Sequence, residues 1–509
     1  MDAIISLLSQ LFIILTNPMV VVILLGSTAL GVIIGALPGL TATMGIALLT
    51  GLTYKIEPTL AFAVLMGIYV GGIYGGSMSA ILLNIPGTAS AAATALEGNI
   101  FAKQGRAELA IKVTRTASII GTLIGVLALA LIAKPMTAIA LKFASAEYFL
   151  LAIFGILMCG SIVKADITLK GWIGGLIGLA VTCVGLDQIM SAPRFWFGNQ
   201  ALLGGIQMIP AMIGFYAIPE VIKALAKAKE KLEVRSLKDS KKEKVNSLKV
   251  TLKHIPAIVK ASLVGVGVGA LPGVGEDVAA WIAYDTVKKS SKQKEKYGTG
   301  DCFEAIISPE VGNNAAIGGA TIPLLTLAVP GSPPAAILLG AFMVHNIIPG
   351  PMLFQTNPTF IFYIAALIFA ATIALWAVGM ILAKPMSAIL KVPNQYLMPI
   401  VAVLSVVGAY ALSLNPLDIT VVFIFGILGY VLDKMRYAAA PMVLGIILGP
   451  MIDTNFRRAL IASKGNASVF INQSWITILF FVIILLVLLK NFCPNLKLNP
   501  LHYIKKNRG

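Results

Sequence analysis

At 509 residues, with 58% hydrophobic and 12% charged side chains, the chain departs from the composition of water-soluble domains, whose charged share is about a quarter. Its formal net charge of +17 rests on lysines and arginines set between apolar runs without interleaved aromatics, which excludes a nucleic-acid surface and points to loops that orient a membrane protein. At about 20 apolar residues per crossing, there is room for about ten to fourteen membrane segments.

The N-terminus, Met1-Asp2-Ala3-Ile4-Ile5, lacks the basic region of a cleavable signal, so the first apolar stretch is expected to stay in the mature chain. In chain order the apolar runs predict spans near 20–38, 58–76, 117–133, 147–163, 171–190 and 200–222. After a basic stretch they resume near 256–272, 314–329, 358–383, 396–413, 418–433, 437–450 and 472–489. Shorter apolar pieces near 42–53, 80–95, 276–287 and 334–345 adjoin Pro-Gly breaks and are too brief to span, so they read as half-helices or re-entrant hairpins. This divides the chain into a first transmembrane repeat (1–222), a basic cytoplasmic linker (223–255), a second transmembrane repeat (256–489) and a basic cytoplasmic tail (490–509). The four cysteines, Cys159, Cys183, Cys302 and Cys493, have no paired spacing, which argues against a disulfide framework or a transition-metal site. With three histidines in all, a histidine proton relay is not expected.

The halves repeat one another. Gly35-Ala-Leu-Pro-Gly39 recurs as Gly269-Ala-Leu-Pro-Gly273, and Ala133-Lys-Pro-Met136 recurs as Ala383-Lys-Pro-Met386. Between these landmarks, Gly75-Gly76 followed by Pro86-Gly87 is answered by Gly318-Gly319 followed by Pro330-Gly331, the spacing differing by one residue. Charge sets the relative sense of the copies. The loop with Lys103, Arg106, Lys112 and Arg115 is basic while its counterpart near 346–358 has no Lys or Arg, and Lys288 to Lys296 face a counterpart at 54–58 holding only Lys55. Lys164 and Lys170 likewise match an uncharged stretch between Leu412 and Leu417. By the positive-inside rule the copies insert in opposite directions. Arg457, Arg458 and Lys464 object, since this topology places them outside. The expected fold is therefore an all-α polytopic membrane protein of two inverted-topology repeats with broken helices and re-entrant hairpins.

Chemistry is expected where backbone leaves the helix at membrane depth, because the exposed N–H and C=O groups need partners there. Pro86, Gly87, Thr88 and Ser90 mark one such place; Pro330, Gly331 and Ser332 mark the other. A small hydroxyl residue at a helix start, where the dipole is positive, attracts anions, and it equally serves as an ordinary N-cap. Asn84 before the first break, and Asn313 and Asn314 ahead of the second, are polar residues in apolar surroundings that suit substrate binding or interhelical hydrogen bonds. Gly39, Thr41, Thr43, Gly273, Glu276, Asp277 and Glu310 flank the same regions and are candidates for a coupling cation. No Lys or Arg occurs between Pro58 and Lys103 or between Lys296 and Lys384, so an anionic substrate has to be neutralised by dipoles and a co-bound cation. Hard backbone carbonyl ligands favour Na+, with H+ open through the acids. These features predict a secondary symporter of an anionic substrate, with Na+ as the preferred coupling ion and no other cofactor. A passive anion channel with re-entrant loops is the alternative. A membrane-embedded enzyme is the least supported reading, because Gly-x-Ser-x-Gly, zinc spacings and paired aspartates on successive spans are absent, and no catalytic residue is assigned.

The motifs also resemble a family over nearly the whole chain. Gly35 to Gly39, Tyr74-Gly-Gly76 with Ile85-Pro-Gly-Thr88, Glu97-Gly98, Gly185-Leu-Asp187 with Arg194-Phe195, and Phe215 to Glu220 carry it in the first half. Pro272-Gly273, Pro309-Glu310 with Asn313-Asn314-Ala315, Ile322-Pro-Leu-Leu-Thr326, Pro349-Gly-Pro351 and Leu448-Gly449-Pro450 carry it in the second. Together they look like the large membrane subunit of tripartite tricarboxylate transporters, the TctA family. The resemblance implies uptake of organic polycarboxylates across a bacterial or archaeal cytoplasmic (inner) membrane by an elevator-like motion. It implies a small integral membrane subunit and an extracytoplasmic solute-binding protein as partners, with a homo-oligomer left open. Gly312, Glu97 and Ala328-Val329 depart from the family's Ala, Asp and Gly-Ile, so citrate is not assured.

Overall fold

The computed structural model describes residues 2–162, 168–226, 246–390, 392 and 394–492. Lys164, Cys493, most of the basic linker and nearly all of the basic tail fall outside them. The first half begins with α1 (Asp2–Thr16), α2 (Pro18–Ala36), α3 (Ala42–Thr53), α4 (Pro58–Leu83), α5 (Ala91–Lys103) and α6 (Ala107–Ala140). It continues through α7 (Ser145–Ile162), α8 (Thr168–Val181), a two-residue antiparallel pairing of β1 (Gly185–Leu186) with β2 (Pro193–Arg194), and α9 (Met208–Ala226). The second half runs α10 (Ser247–Leu252), α11 (Ile255–Gly269), α12 (Gly275–Ser290), α13 (Phe303–Leu327), α14 (Pro333–Val344), α15 (Pro351–Thr356) and α16 (Phe360–Ala383). It ends with α17 (Met386–Ile389), α18 (Asn394–Ser413), α19 (Pro416–Lys434), α20 (Ala439–Ala462), α21 (Val469–Asn472) and α22 (Trp475–Phe492).

Among the described residues, eight helices (α2, α4, α6, α9, α16, α18, α19 and α20) are long and apolar enough to cross a membrane. The chain is thus a multi-pass helical membrane protein. The half-helices expected at 42–53, 276–287 and 334–345 are α3, α12 and α14. The piece expected at 80–95 is instead the end of α4, a break over 84–90, and the start of α5. Helix α1, too short for the span criterion, packs on α16 and turns Ile5 and Phe12 outward. Helix α13 begins earlier than its apolar run suggests, because Ser308, Glu310, Asn313 and Asn314 are buried within it.

Local sequence sets each break. Asn17 caps α2 by accepting from Met19 N at 3.1 Å, with Pro18 in the first turn. Pro38 then bars the α conformation from Leu37, whose ψ is 123°. Thr41 caps α3 through Met44 N at 3.2 Å. Helices α4 and α13 both end on a left-handed residue, Asn84 (φ 57°, ψ 24°) and Ala328 (φ 57°, ψ 27°). Each Pro-Gly step follows two residues later. Here glycine is required by proximity. A Cβ on Gly87 would lie 1.9 Å from the Gly35 carbonyl oxygen, and one on Gly331 would lie 2.1 Å from that of Gly269. In each half the Pro-Gly tip therefore rests on the end of the helix that carries Gly-Ala-Leu-Pro-Gly.

Packing corrects the register of the repeat. Gly75 lies against the Val32 carbonyl and Gly319 against that of Val266, so Gly75 matches Gly319, and the one-residue mismatch disappears. The same register relates Tyr69 to Asn313 and Met66 to Glu310. Helix pairs recur accordingly: α2 packs on α4 as α11 packs on α13, and α9 packs on α19 as α20 packs on α8. The halves therefore interlock. At one end, Gln104 and Arg106 donate to the Thr299 and Gly300 carbonyls at 2.8 and 3.2 Å. Elsewhere, Tyr363 Oη donates to the Thr59 carbonyl at 3.0 Å, and Phe62 packs on His345.

An ion network fastens the α8–α9 connection to α20. Asp187 accepts from Arg457 at 2.7 Å and from the amides of Ile189 and Met190, while Arg194 bonds Asp453 at 3.0 Å. Arg457, one of the residues that objected to the charge rule, is thereby ion-paired while partly exposed.

A small side chain at Gly87 has to displace backbone. We expect Gly87→Ala to lower the thermal stability of the purified protein by about 1–3 kcal/mol, whereas Gly267→Ala, with open space around it, leaves the melting temperature unchanged. The Arg457 hydrogen bond holds the Asp187 carboxyl well below the usual carboxylate range. A depressed folded value means that this contribution is present above the unfolded value of about 4 and is lost as pH falls through the folded one. The melting-temperature gap between the parent and Asp187→Asn should therefore be equal at about pH 7 and pH 5 and shrink below about pH 4.

Candidate functional site

Both Pro-Gly tips reach the start of α12. Tyr69, midway along α4, sends its hydroxyl to the Glu276 carboxylate at the start of α12, and the Ser332 hydroxyl donates to the same oxygen at 2.9 Å. Tyr69 and Ser332 oxygens lie 3.2 Å apart. Ser332 also caps α14, accepting from Ala335 N at 3.3 Å. Beside Glu276, the half-buried Asp277 accepts from the backbone N–H of Ser90, which belongs to the first tip. Neighbouring acids in the first turn of one half-helix thus hold residues from both breaks. The positive end of the α12 dipole favours carboxylates at this position.

The remaining residues of the first tip are close by. Thr88 and Ser90 hydroxyls are 3.0 Å apart and both are buried; Gly87 is buried beneath them and Pro86 is partly exposed. In the second tip Pro330 and Gly331 are buried, and the Pro330 carbonyl accepts from Gly273 N at 3.2 Å, which joins that tip to the adjacent break. Gly39 and Gly273 take the left-handed backbone that their turns need, with φ of 88° and 74°. Thr41 is a capping residue and Thr43 is buried in the first turn of α3. Asn84 is solvent-exposed at the end of α4, away from these buried contacts.

The asparagine pair divides its roles. Asn314 donates to the Glu310 carbonyl at 2.9 Å and accepts from Thr122, so its amide serves the packing of α13 on α6. Asn313 is fully buried, and neither amide heteroatom has a partner. Such a group costs about 1–3 kcal/mol unless something satisfies it.

Glu310 occupies a separate place. Its Oε1 accepts from Ser77 of α4 and Thr94 of α5, and its Oε2 accepts from Ser118 of α6 at 2.7 Å. Among the described residues, none of the ion pairs involves Glu276, Asp277 or Glu310. Three acids therefore lie inside the helical body without a basic partner, and the described residues hold no group of three His, Cys, Asp or Glu suited to a metal ion. A cavity of about 660 Å³ lies elsewhere, between the α8–α9 connection, α20 and the far end of α14, lined by Arg194, Asp453, Leu339 and Met343 among others.

Sequence reasoning missed Tyr69, Ser77, Thr94 and Ser118. Each is a hydroxyl in an apolar, glycine- or alanine-rich helix, and that isolation was the available signal. Glu220 was noted only within a motif, yet a Cβ on Gly39 would lie 3.6 Å from its carboxylate.

Comparison with known proteins follows the same landmarks. The profile of the tripartite tricarboxylate transporter TctA family matches residues 20–444. An uncharacterized 52.8 kDa protein in the TAR-I ttuC' 3' region of Agrobacterium vitis is 33% identical over 445 residues, covering 87% of this chain and 88% of its own length. A second Agrobacterium vitis protein, in the TAR-II ttuC' 3' region, is 35% identical over 205 residues, covering 40% of this chain and 84% of its own. No solved structure matches the chain. Its motifs, broken helices and similarity over most of its length agree, and the chain belongs to the tripartite tricarboxylate transporter TctA family.

Proposed function

We propose that this protein is the substrate-translocating subunit of a cation-coupled importer of di- or tricarboxylates in a bacterial or archaeal cytoplasmic membrane. It works with a small membrane subunit and an extracytoplasmic binding protein. The observation that carries the reading is the convergence of both tips on Glu276 and Asp277 without a basic residue. A polycarboxylate beside two acids is stable only if cations accompany it.

The repeat divides the labour. On the second-half side, Glu276, Asp277, Tyr69 and Ser332 supply hard oxygen ligands, suited to Na+, beside the Pro330 and Gly273 backbone. The equivalent positions on the first-half side are Thr41 to Thr43 at the start of α3, Thr88 and Asn313. That side carries no acid. Its helix N-terminus and the unpartnered Asn313 amide supply hydrogen-bond donors for a substrate carboxylate. Inverted insertion is supported by which loops meet: the α5–α6 loop reaches the α12–α13 loop, and the start of α4 reaches the start of α16. These are non-equivalent loops of the two halves, as opposite senses require. An elevator-like displacement of the hairpin-bearing helices accords with their interlocked packing.

In vesicles containing the protein and its partner subunits, Asn313→Ala, Tyr69→Phe and Ser332→Ala should each reduce citrate uptake about tenfold, the worth of one hydrogen bond to a charged group. Melting temperature should hold. Parental uptake in all three moves the site elsewhere. Imposed Na+ and pH gradients should separately drive or alter accumulation; indifference to both leaves a passive anion channel.

A further inference from the structure

The Glu310 cluster is distinct from the tips. We propose that Glu310 is a proton-binding site that couples protonation to the position of the first hairpin, a reading that rests on the transport function proposed above.

Three features carry it. The carboxyl is fully buried and makes no ion pair, so its charge is uncompensated by any basic side chain bonded to it. Its three hydroxyl partners come from three helices of the other half: Ser77 on α4, Thr94 on α5 just past the first tip, and Ser118 on α6. Each is in direct hydrogen-bond contact, and a buried carboxylate with neutral partners alone sheds its uncompensated charge by taking up a proton. A hydroxyl rotor donates to an ionised carboxylate and accepts from a protonated one, so these partners serve both protonation states with bonds of different strength. Loss of the proton strengthens the pull on Thr94 and Ser77 and so tightens α5 and α4 against α13. The first half has Met66 at the equivalent position, so the second hairpin has no such tie.

Titratable and charged groups around Glu310 are few. From α4, Tyr74 is electrostatically coupled to it, fully buried, with an unpartnered hydroxyl; from α6, Arg115 approaches Tyr74. From α5 and α12, Glu97 and Tyr284 bond one another at 3.1 Å, and Glu97 also accepts from Gly298 N. From α10 and α11, Lys249, Lys253 and Lys260 are exposed.

The test is infrared difference spectroscopy of the purified protein in nanodiscs, titrated between about pH 5 and 9 in Na+-containing and Na+-free buffer. The expected result is a buried carboxylic C=O band that titrates in the parent and in Ser332→Ala, is lost in Glu310→Gln, and changes frequency in Ser118→Ala. In vesicles with partner subunits, accumulation by Glu310→Gln should lose the response to a pH gradient that the parent shows. A parental band in Glu310→Gln, or no titrating band in the parent, overturns the proton site. Because the spectra need no substrate, that outcome is separable from failure of the tip site, which would show as parental uptake in the tip variants. If Glu310→Gln does not fold, an unshifted band in Ser118→Ala overturns the proposal by itself.

Discussion

A helix that stops inside a bilayer leaves amide and carbonyl groups that lipid cannot satisfy, and every other feature of this protein follows from where those groups find partners. The chain solves the problem twice with the same residues. Each Pro-Gly tip lies against the end of the Gly-Ala-Leu-Pro-Gly helix of its own half, at a distance that only glycine permits. Capping by Thr41 and Ser332 then starts the next short helix. Because such breaks are fixed by backbone contact, the side chains around them are free to carry chemistry.

That chemistry is electrostatic and unsymmetrical. Glu276 and Asp277 stand at the start of α12, while the corresponding turn of α3 has Ala42 and Thr43. Glu310 stands in α13, while α4 has Met66. The second half thus contributes Glu276, Asp277 and Glu310, and the first half contributes most of the groups that hold them: the Tyr69, Ser77, Thr94 and Ser118 hydroxyls and the Ser90 N–H. On the proposed reading, one duplicated scaffold has diverged into a donor half and an acceptor half.

Much of this was legible in the sequence. The pentapeptide repeat and the Pro-Gly steps located the breaks, because proline and glycine act locally and their effect is readable without partners. The starts of α3, α12 and α14 fell within about two residues of the apolar pieces. Where reasoning fell short, the cause was a long-range contact. Tyr69 looked like one more apolar residue, and only the approach of α12 gives its hydroxyl a role. Hydropathy shortened α13, because buried polar residues read as exposed when their partners lie on other helices. The partner of Arg457, Asp187, is likewise distant in sequence and could not be read from the local pattern. Asn84 is a polar residue at a break whose left-handed backbone ends α4 and whose side chain is exposed.

Both long helices turn into their short arms through a left-handed residue, and neither residue is glycine: one is Asn84, the other Ala328. Alanine is held in that region at a cost of about 1 kcal/mol, and it samples far fewer backbone states than glycine. The second elbow is therefore a stiff joint. Its short arm is thereby held to a narrow range of directions relative to the long helix.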